Sequence, residues 1–339
     1  MNYQLLGRSG LRVSELCLGT MTFGTEWGTG VDREGSKALF DAYADAGGNF
    51  LDTANRYTEG TSERYLGEFI QSERDHFVLA TKYTLFDKMG DPNLAGNHRK
   101  NMMRSVEESL KRLQTDFIDL LWVHAWDGVT PEEEIMRGLE DLVRSGLVHY
   151  IGISDTPAWV VSRANTLAEL KNWTAFIGLQ VEYSLIQRDA ERDLLPMARY
   201  LGLTLTPWGA LGGGALTGKY LKGESGRVPA ESARRSDRAN RIAAVVVEEA
   251  EKLGVEPGQL ALNWTRQSMP GLDVIPIVGA RTPQQLKSSM ACLNFDVPAT
   301  TMQALDEVSK IELGFPHDFL AGDRVKDLIF GGTYNKLKR

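Results

Sequence analysis

The chain has 339 residues, of which 42% are hydrophobic and 24% charged, and its 38 Lys and Arg against 45 Asp and Glu give a net charge of −7. This composition excludes a disordered or collagen-like chain, and the acidic balance argues against a nucleic-acid partner. With only Cys17 and Cys292, no run long enough to span a membrane and no signal-peptide core, we expect a cytoplasmic protein without a disulfide framework or membrane partner.

Short apolar or β-branched runs recur along the chain and predict a parallel sheet. Residues 4–13, with Gly7-Arg8-Ser9-Gly10 at the turn, come first and predict a hairpin. The following runs are nearly continuous in apolar residues, which is typical of strands covered on both faces. The predicted strands are residues 16–19, 49–52, 77–82, 117–124, 148–154, 176–180, 203–208 and 273–276.

Amphipathic patterns between these strands predict helices. Gly47-Gly48 is a stop signal after the first of them, and Thr130-Pro131 followed by two glutamates is a start signal. The predicted helices are residues 35–46, 99–113, a helix beginning near 130, 158–170, 189–201, 238–253, 257–267 and 283–293, with one or two more within 299–328.

Eight strand–helix units of this size predict an α/β fold, a (β/α)8 TIM barrel that spans residues 1–339 as a single domain. The hairpin precedes the barrel and the extra C-terminal helices follow it. A doubly wound dinucleotide-binding fold is the weaker alternative, because its Gly-x-Gly-x-x-Gly fingerprint is missing. Neither Gly28-Thr29-Gly30 nor Gly212-Gly213-Gly214 completes that fingerprint.

Polar residues at the strand ends are the candidates for chemistry, because active sites of such barrels lie at the carboxyl ends of the strands. Asp52, Lys82 and His124 end three successive strands, and Tyr57 follows the first of these. A nearby ammonium group lowers the pKa of a phenol, and a carboxylate keeps that ammonium charged and oriented. The four groups suit protonation of a carbonyl oxygen while hydride reaches the carbon.

Each of these four residues has an ordinary structural explanation when it is taken alone. Asp52 could cap a turn, Lys82 could be a solvated charge at the barrel rim, His124 could be a buried histidine, and Tyr57 could pack in a loop. The catalytic interpretation depends on their coincidence at neighbouring strand ends. The sequence predicts no metal site.

Motifs over almost the whole chain resemble those of the aldo-keto reductases, in the branch of aryl-alcohol dehydrogenases and potassium-channel β subunits. The motifs are Asp52-Thr53-Ala54-x-x-Tyr57, Ala80-Thr81-Lys82, Asp119-Leu120-Leu121-Trp122-Val123-His124, Gln180-Val181-Glu182-Tyr183, Pro207-Trp208-Gly209 with its glycine-rich continuation, and Pro276-Ile277-Val278-Gly279-Ala280-Arg281.

The resemblance implies reduction of aldehydes or ketones to alcohols with NADP(H). Tyr57 would donate the proton, Lys82 would lower its pKa, Asp52 would pair with Lys82, and His124 would orient the carbonyl. The residues implied in coenzyme binding are Gly19, Thr20, Asp52, Ser154, Asp155, Gln180, Trp208, Gly209, Ala210, Leu211, Gly212, Gly214, Lys219, Gly279, Arg281, Gln285, Ser288 and Ser289.

Elementary chemistry agrees with several of these roles. The indole of Trp208 offers a flat stacking surface, glycines at 209–214 let backbone amides approach a pyrophosphate, and Arg281 could grip a 2′-phosphate. Two positions depart from the family pattern: Asp155 replaces an Asn, and Ser288-Ser289 replace a Glu-Asn pair near the adenine. The departures leave open whether NADP or NAD is used.

Aromatic residues in the loops above the barrel predict an apolar substrate pocket. The expected pocket residues are Trp27, Tyr57, Phe86, His124 and Trp126, with Phe23 and Tyr83 as further candidates. These residues favour an aromatic or apolar aldehyde as the small-molecule substrate, and nothing in the sequence implies a protein partner.

Two other functions and one alternative role for a charged segment remain open from the sequence. The chain could be a coenzyme-binding regulatory subunit with slow residual turnover, or a barrel lyase or isomerase that needs no nicotinamide. The run Arg234-Arg235-Ser236-Asp237-Arg238 is interpreted as a solvated helix start, with approach to the coenzyme as the alternative.

Overall fold

The computed structural model describes residues 1–337 and has the predicted α/β barrel architecture with an antiparallel hairpin at its N-terminus. The last two residues of the predicted domain, 338 and 339, lie outside the described residues. The strands are β1 (Tyr3–Leu5), β2 (Arg12–Ser14), β3 (Cys17–Gly19), β4 (Phe50–Asp52), β5 (Val78–Tyr83), β6 (Ile118–Val123), β7 (Val148–Ser154), β8 (Gly178–Gln180), β9 (Thr204–Leu205) and β10 (Ile277–Val278).

Helices alternate with the strands and enclose the sheet. They are α1 (Arg33–Ala44), α2 (Thr61–Ile70), α3 (Arg99–Leu113), α4 (Glu132–Arg144), α5 (Ala158–Lys171), α6 (Leu194–Leu201), α7 (Asp237–Leu253), α8 (Pro257–Gln267), α9 (Pro283–Met290), α10 (Ala299–Ser309), α11 (His317–Ala321) and α12 (Asp323–Phe330). Among the helices of residues 1–337, none has both the length and the apolar character that crossing a bilayer requires.

The eight-stranded parallel sheet curls so that its two edge strands meet. Its order is β10-β3-β4-β5-β6-β7-β8-β9. Between β9 and β10, Leu205 N donates to Asp273 O at 2.8 Å, Ile275 N to Leu205 O at 2.8 Å, and Ile277 N to Pro207 O at 3.0 Å. We call this line of contact the seam. It brings the end of β9 beside the start of β10, so the loops that follow both strands share one side of the barrel mouth.

A large side chain fills the barrel interior below the mouth. Trp122 on β6 is fully buried and lies in register with Lys82 on one side and Gly152 on the other. A Cβ atom at Gly152 would lie 2.3 Å from the Trp122 ring, and one at Gly178 would lie 2.8 Å from it. The indole therefore occupies the space that two strands leave by having glycine, as expected for a close-packed interior.

The N-terminal hairpin closes the opposite end of the barrel. Leu6 and Val13 are fully buried and belong to the same core cluster as Trp122. At Gly7 the backbone has φ 55°, and a Cβ atom there would lie 2.1 Å from the carbonyl oxygen of Ile177. Only glycine permits this approach, so the hairpin turn fits tightly against the barrel floor.

Four details differ from the sequence-based prediction. The eighth strand is Ile277–Val278, not residues 273–276, because the predicted segment forms the seam contacts that precede it. The helix predicted over 189–201 begins only at Leu194, since Pro196 fits the first turn of a helix but not its interior. Helix α2 was not predicted, and the C-terminal segment has three helices where one or two were expected.

Candidate active site

A buried ion pair lies at the centre of the barrel mouth. Asp52 at the end of β4 and Lys82 near the end of β5 are 2% and 1% exposed and form a direct salt bridge. Lys82 Nζ also donates to the carbonyl oxygen of Thr53 at 2.8 Å and to Tyr57 Oη at 3.1 Å. On the other side, Gln180 Nε2 donates to Asp52 Oδ2 at 2.9 Å. Every donor of Lys82 therefore has a partner.

The charge state of Lys82 follows from these contacts. Burial alone would lower its pKa, but the Asp52 carboxylate and the Tyr57 phenol outweigh burial and raise the pKa of Lys82 to about 12. Lys82 therefore stays protonated at neutral pH. Its ammonium lies 4.7 Å from the centre of the Tyr57 ring as well as near the hydroxyl.

Tyr57 experiences two opposing effects. Burial raises the pKa of its phenol, the charge of Lys82 lowers it, and the Asp52 carboxylate raises it again, so that the net pKa lies above the ordinary value of 10.0. From the sequence alone, only the lowering of this pKa by Lys82 was expected. The structure adds the desolvation that opposes it, and the hydroxyl of Tyr57 is consequently protonated at neutral pH.

His124 lies beside the phenol at the end of β6. The two rings meet edge-to-face, with centroids 6.0 Å apart and an interplanar angle of 82°. Burial first, and the charge of Lys82 second, lower the pKa of His124 to about 3. The imidazole is therefore neutral. Its Nδ1 is buried and has no hydrogen-bond partner among the described residues.

Three residues implied in nicotinamide binding meet next to this group. Ser154 ends β7 and Gln180 ends β8, in register with each other, and both are buried. Trp208 follows β9, and its indole Nε1 donates to Asp155 Oδ1 at 3.2 Å. Asp155 itself has the left-handed φ of 41°. The Trp208 residue is partly exposed.

The glycine-rich loop after β9 is surrounded by cations. A Cβ atom at Gly213 would lie 3.5 Å from Arg234 Nη1 and 3.9 Å from Arg227 Nη2, and one at Gly214 would lie 2.8 Å from Lys219 Nζ. Partial desolvation, followed by the charges of Arg234 and Arg281, lowers the pKa of Arg227. We call Lys219, Arg227, Arg234 and Arg281 the cation cluster. Lys219, Arg227 and Arg234 lie beside Gly213 and Gly214, and Arg281 is near enough to Arg227 to affect its pKa.

Sequence reasoning found only part of the cation cluster. It named Lys219 and Arg281, it interpreted Arg234 as part of a solvated helix start, and it missed Arg227. The structure instead pairs Arg234 with Glu182 at 2.5 Å, next to Trp208. A clustering of arginines after a triple-glycine turn was the signal available in the sequence.

Several of the other residues implied in coenzyme binding are buried or lie within the sheet. Gly19 pairs with Asp52 in the sheet, and Thr20 is fully buried, with its hydroxyl donating to Asp52 O at 2.9 Å. Gly209 and Gly212 have left-handed backbone, Ala210 is buried and Leu211 partly buried. The structure does not present the Thr20 side chain to the mouth.

The residues named on the eighth unit share the start of α9. Gly279 precedes this helix, and Thr282 accepts from Gln285 N at its first turn. Arg281 is exposed and its backbone N–H is capped by the Gln285 side chain at 3.0 Å. Ser288 donates to the carboxylate of Glu256, the N-cap residue of α8, and Ser289 is partly buried.

Of the tryptophan and phenylalanine residues expected in the substrate pocket, Trp27 is the one that lies against Tyr57 among the described contacts. Trp27 is 40% exposed, and its ring lies edge-on to Tyr57 at 6.3 Å. Phe86 lies under the guanidinium of Arg56 at 4.4 Å, and Trp126 meets Trp159 edge-on at 5.5 Å.

The two further pocket candidates have other roles. Phe23 and Tyr83 are each 1% exposed. Phe23 packs edge-on against Phe69 at 6.4 Å, and Tyr83 donates its hydroxyl to Asn97 O at 3.3 Å. Both expectations were wrong because these side chains point into the layer between sheet and helices, where the hydrophobic core requires them.

The donor set fits a dinucleotide rather than a metal ion. A flat indole, two buried polar side chains and several cations beside a glycine turn match a ring, its carboxamide and several phosphates. Over residues 1–337, no three His, Cys, Asp or Glu side chains lie close enough to hold a metal ion together.

Comparison with known proteins agrees with this geometry. A sequence model of the Aldo/keto reductase family matches residues 15–310. The chain is 40% identical to a norsolorinic acid reductase of Emericella nidulans, over 92% of this chain and 82% of that protein. It is 37% identical to an aryl-alcohol dehydrogenase [NADP(+)] of Phanerodontia chrysosporium, over 98% and 90%, and 36% identical to a probable aryl-alcohol dehydrogenase of Saccharomyces cerevisiae, over 86% and 93%. With this coverage, the chain belongs to the aldo/keto reductase family.

Proposed function

We propose that this protein works as one barrel domain and is an NADP(H)-dependent reductase of aldehydes and ketones, in which Tyr57 is the general acid. One observation carries the proposal: Lys82 Nζ contacts the Asp52 carboxylate, the Thr53 carbonyl oxygen and Tyr57 Oη at the same time. A phenol held against a fixed ammonium is a proton donor whose anion is stabilised as it forms.

The residues divide the work between proton transfer and orientation. Ser154, Gln180 and Trp208 would hold the nicotinamide of the coenzyme, which would supply the hydride for the carbonyl carbon. Tyr57 gives its hydroxyl proton to the carbonyl oxygen, which leaves an alcohol and a phenolate beside Lys82. Lys82 keeps its positive charge because Asp52 stabilises it, and the phenolate regains a proton from solvent. Neutral His124 donates a hydrogen bond to the carbonyl oxygen and so fixes the substrate's orientation.

The direction of each pKa shift supports these roles. A raised pKa keeps Tyr57 protonated before the reaction, and a pKa of about 3 keeps His124 neutral. An imidazolium at that position would place a second positive charge near Lys82 and would compete with Tyr57 as the acid. The protonation states therefore support the phenol as the proton donor.

The preference for NADP(H) and for aromatic substrates forms the finer part of the proposal. Arg281 and Arg227, together with Lys219, provide more positive charge than a pyrophosphate alone requires, which favours a coenzyme with a further phosphate. Trp27 provides an aromatic surface beside Tyr57, and Phe86 and Trp126 follow strands β5 and β6 along the chain. The name of the Phanerodontia chrysosporium relative, an aryl-alcohol dehydrogenase [NADP(+)], agrees with both expectations.

Substitution of the phenol tests the proposal. In the Tyr57→Phe variant, reduction of aromatic aldehydes should fall by about two to four orders of magnitude, because general-acid catalysis contributes that much. Fluorescence titration should show unchanged NADPH binding. Tyr200→Phe is a matched control, since Tyr200 is 84% exposed. Turnover of Tyr57→Phe at the rate of this control, or absence of reduction by the unmodified protein over a panel of aldehydes, would refute the proposal.

A further inference from the structure

Three consecutive residues directly after Tyr57 have left-handed backbone. Their φ angles are 46° at Thr58, 54° at Glu59 and 80° at Gly60. Glycine adopts this conformation freely, but a β-branched residue such as threonine rarely does, and it is held there only where its surroundings require it. Thr58 is also 1% exposed. The turn that carries the phenol therefore contains a strained, buried threonine.

Side chains attach this turn to the loop that follows the first barrel strand. We call residues 20–32 the first-strand loop. Thr58 Oγ1 donates to the carbonyl oxygen of Phe23 at 2.5 Å, and Trp27 Nε1 donates to Glu59 Oε1 at 3.2 Å. Thr61 donates to the carboxylate of Glu26. Three successive side-chain bonds thus join the two segments, and Thr58 makes the buried one.

The first-strand loop is itself a closed unit. Gly24 N donates to Val31 O at 2.8 Å, and Val31 N donates to Thr22 O at 2.7 Å. A Cβ atom at Gly30 would lie 1.7 Å from Gly24 O, so two parts of the loop touch through bare backbone. The hydroxyl of Thr22 further donates to Ala280 O at 3.2 Å, across the barrel's first and last units. A loop closed in this way is a firm support for the turn.

We propose that Thr58 is a positioning residue for proton transfer by Tyr57, an inference that rests on the proposed function. Lys82 is fixed by Asp52 and Thr53, so the 3.1 Å between its Nζ and Tyr57 Oη depends on where the turn holds the phenol. The Thr58 hydroxyl pins the turn to Phe23 and thereby sets that distance. Without the bond, the strained threonine relaxes and Tyr57 moves away from Lys82.

Three substitutions at this position separate the hydroxyl from the shape of the side chain. Thr58→Val keeps the branched shape and loses the hydroxyl, Thr58→Ser keeps the hydroxyl, and Thr58→Gly loses it while relieving the backbone strain. The glycine variant is expected to fold even where the valine variant does not. Thr265→Val is the matched control, because Thr265 is also fully buried and donates to a carbonyl oxygen, Ala261 O at 3.0 Å, far along the chain in α8.

The experiment measures kcat for an aromatic aldehyde across pH, together with NADP+ affinity and urea stability. Thr58→Val and Thr58→Gly should lower kcat by about tenfold to a hundredfold, because small misplacements of a reacting group have effects of this size. Their coenzyme affinity should stay unchanged. Since Lys82 lowers the pKa of Tyr57, a more distant phenol has a higher pKa, and the alkaline limb of the kcat profile should move to higher pH. Thr58→Ser should restore both properties.

The outcomes separate this inference from the proposed function. If the unmodified protein reduces no aldehyde in the panel, the proposed function fails and the inference fails with it. If the unmodified protein is active but Thr58→Gly keeps its kcat and its alkaline limb, only the inference is overturned. It is also overturned if Thr265→Val lowers kcat as much as Thr58→Val at equal loss of stability, or if Thr58→Ser restores neither kcat nor the pH profile.

Discussion

Replacement of the buried carboxylate, Asp52→Asn, should weaken the whole fold and reverse the pH dependence of one contribution to stability. In the unmodified protein the pKa of Lys82 is raised from 10.5 to about 12. Each pKa unit corresponds to about 1.4 kcal/mol, so the shift contributes about 2 kcal/mol of unfolding free energy. Because the folded pKa is the higher one, this contribution is fully present below pH 10.5 and is lost as the pH rises through 12.

The variant retains a buried ammonium without its counterion. Removing one partner of a buried pair costs about 3–5 kcal/mol, and the new side-chain amide would also present a donor to Lys82 or to Gln180, which are themselves donors. Burial then lowers the pKa of Lys82, so the unfolded chain binds its proton more readily than the folded protein. The variant's unfolding free energy should therefore rise with pH relative to the unmodified protein.

Urea denaturation of both proteins between pH 7 and pH 10 measures this effect. The difference in unfolding free energy should be largest near pH 7 and should shrink toward pH 10. Glu68→Gln is the matched control: Glu68 pairs with Arg33 at 2.8 Å, but the two side chains are 41% and 56% exposed, so its loss should cost less than about 1 kcal/mol. A difference for Asp52→Asn no larger than that of this control, or constant over the pH range, would refute the reasoning.

Three further predictions concern single residues. Burial lowers the pKa of His124 from 6.5 to about 3, so the contribution of the neutral imidazole to the unfolding free energy is lost as the pH falls below 6.5. In urea denaturation, His124→Gln should therefore lose less stability between pH 7 and pH 4 than the unmodified protein. Equal losses would contradict the neutral imidazole. Arg281→Ala should weaken NADPH binding by about tenfold or more while changing NADH binding little, as measured by fluorescence titration; equal losses would remove the 2′-phosphate role. Gly152→Ala should lower the unfolding free energy by about 1–3 kcal/mol, because the added methyl group overlaps Trp122. Gly10→Ala is the control and should leave the stability unchanged, because no atom lies within 4 Å of its added methyl group. The reverse order of stability in thermal denaturation would contradict the packing.

The strand ends could be predicted because consecutive residues of the sequence are enough to show them. An apolar run that stops at Asp52, Lys82 or His124 shows both the strand and the polar group at its end, and the barrel topology then brings these groups together. The opposing effects on Tyr57 could not be predicted in the same way, because desolvation depends on which side chains cover the phenol.

Helix α2 and the position of Arg227 could not be predicted for the same physical reason: the backbone before each of them is irregular. Helix α2 begins after three left-handed residues and has Gly60 as its N-cap, without a side-chain cap, so no start signal precedes it. Arg227 lies in a loop without periodic pattern, and only the fold of residues 209–235 brings it to Gly213. Sequence reasoning reached the four groups at the mouth and missed what the loops add to them.

The seam gives the barrel mouth a mechanical role. It is held by three backbone hydrogen bonds between short strands, whereas β6 and β7 pair over five positions. Trp208 follows one side of the seam and Arg281 the other, so a molecule that contacts both residues would add a second link between the two edges that the seam joins. Ligand binding at the mouth and separation of the two sheet edges are therefore thermodynamically linked. A saturating dinucleotide would stabilise the whole barrel against unfolding.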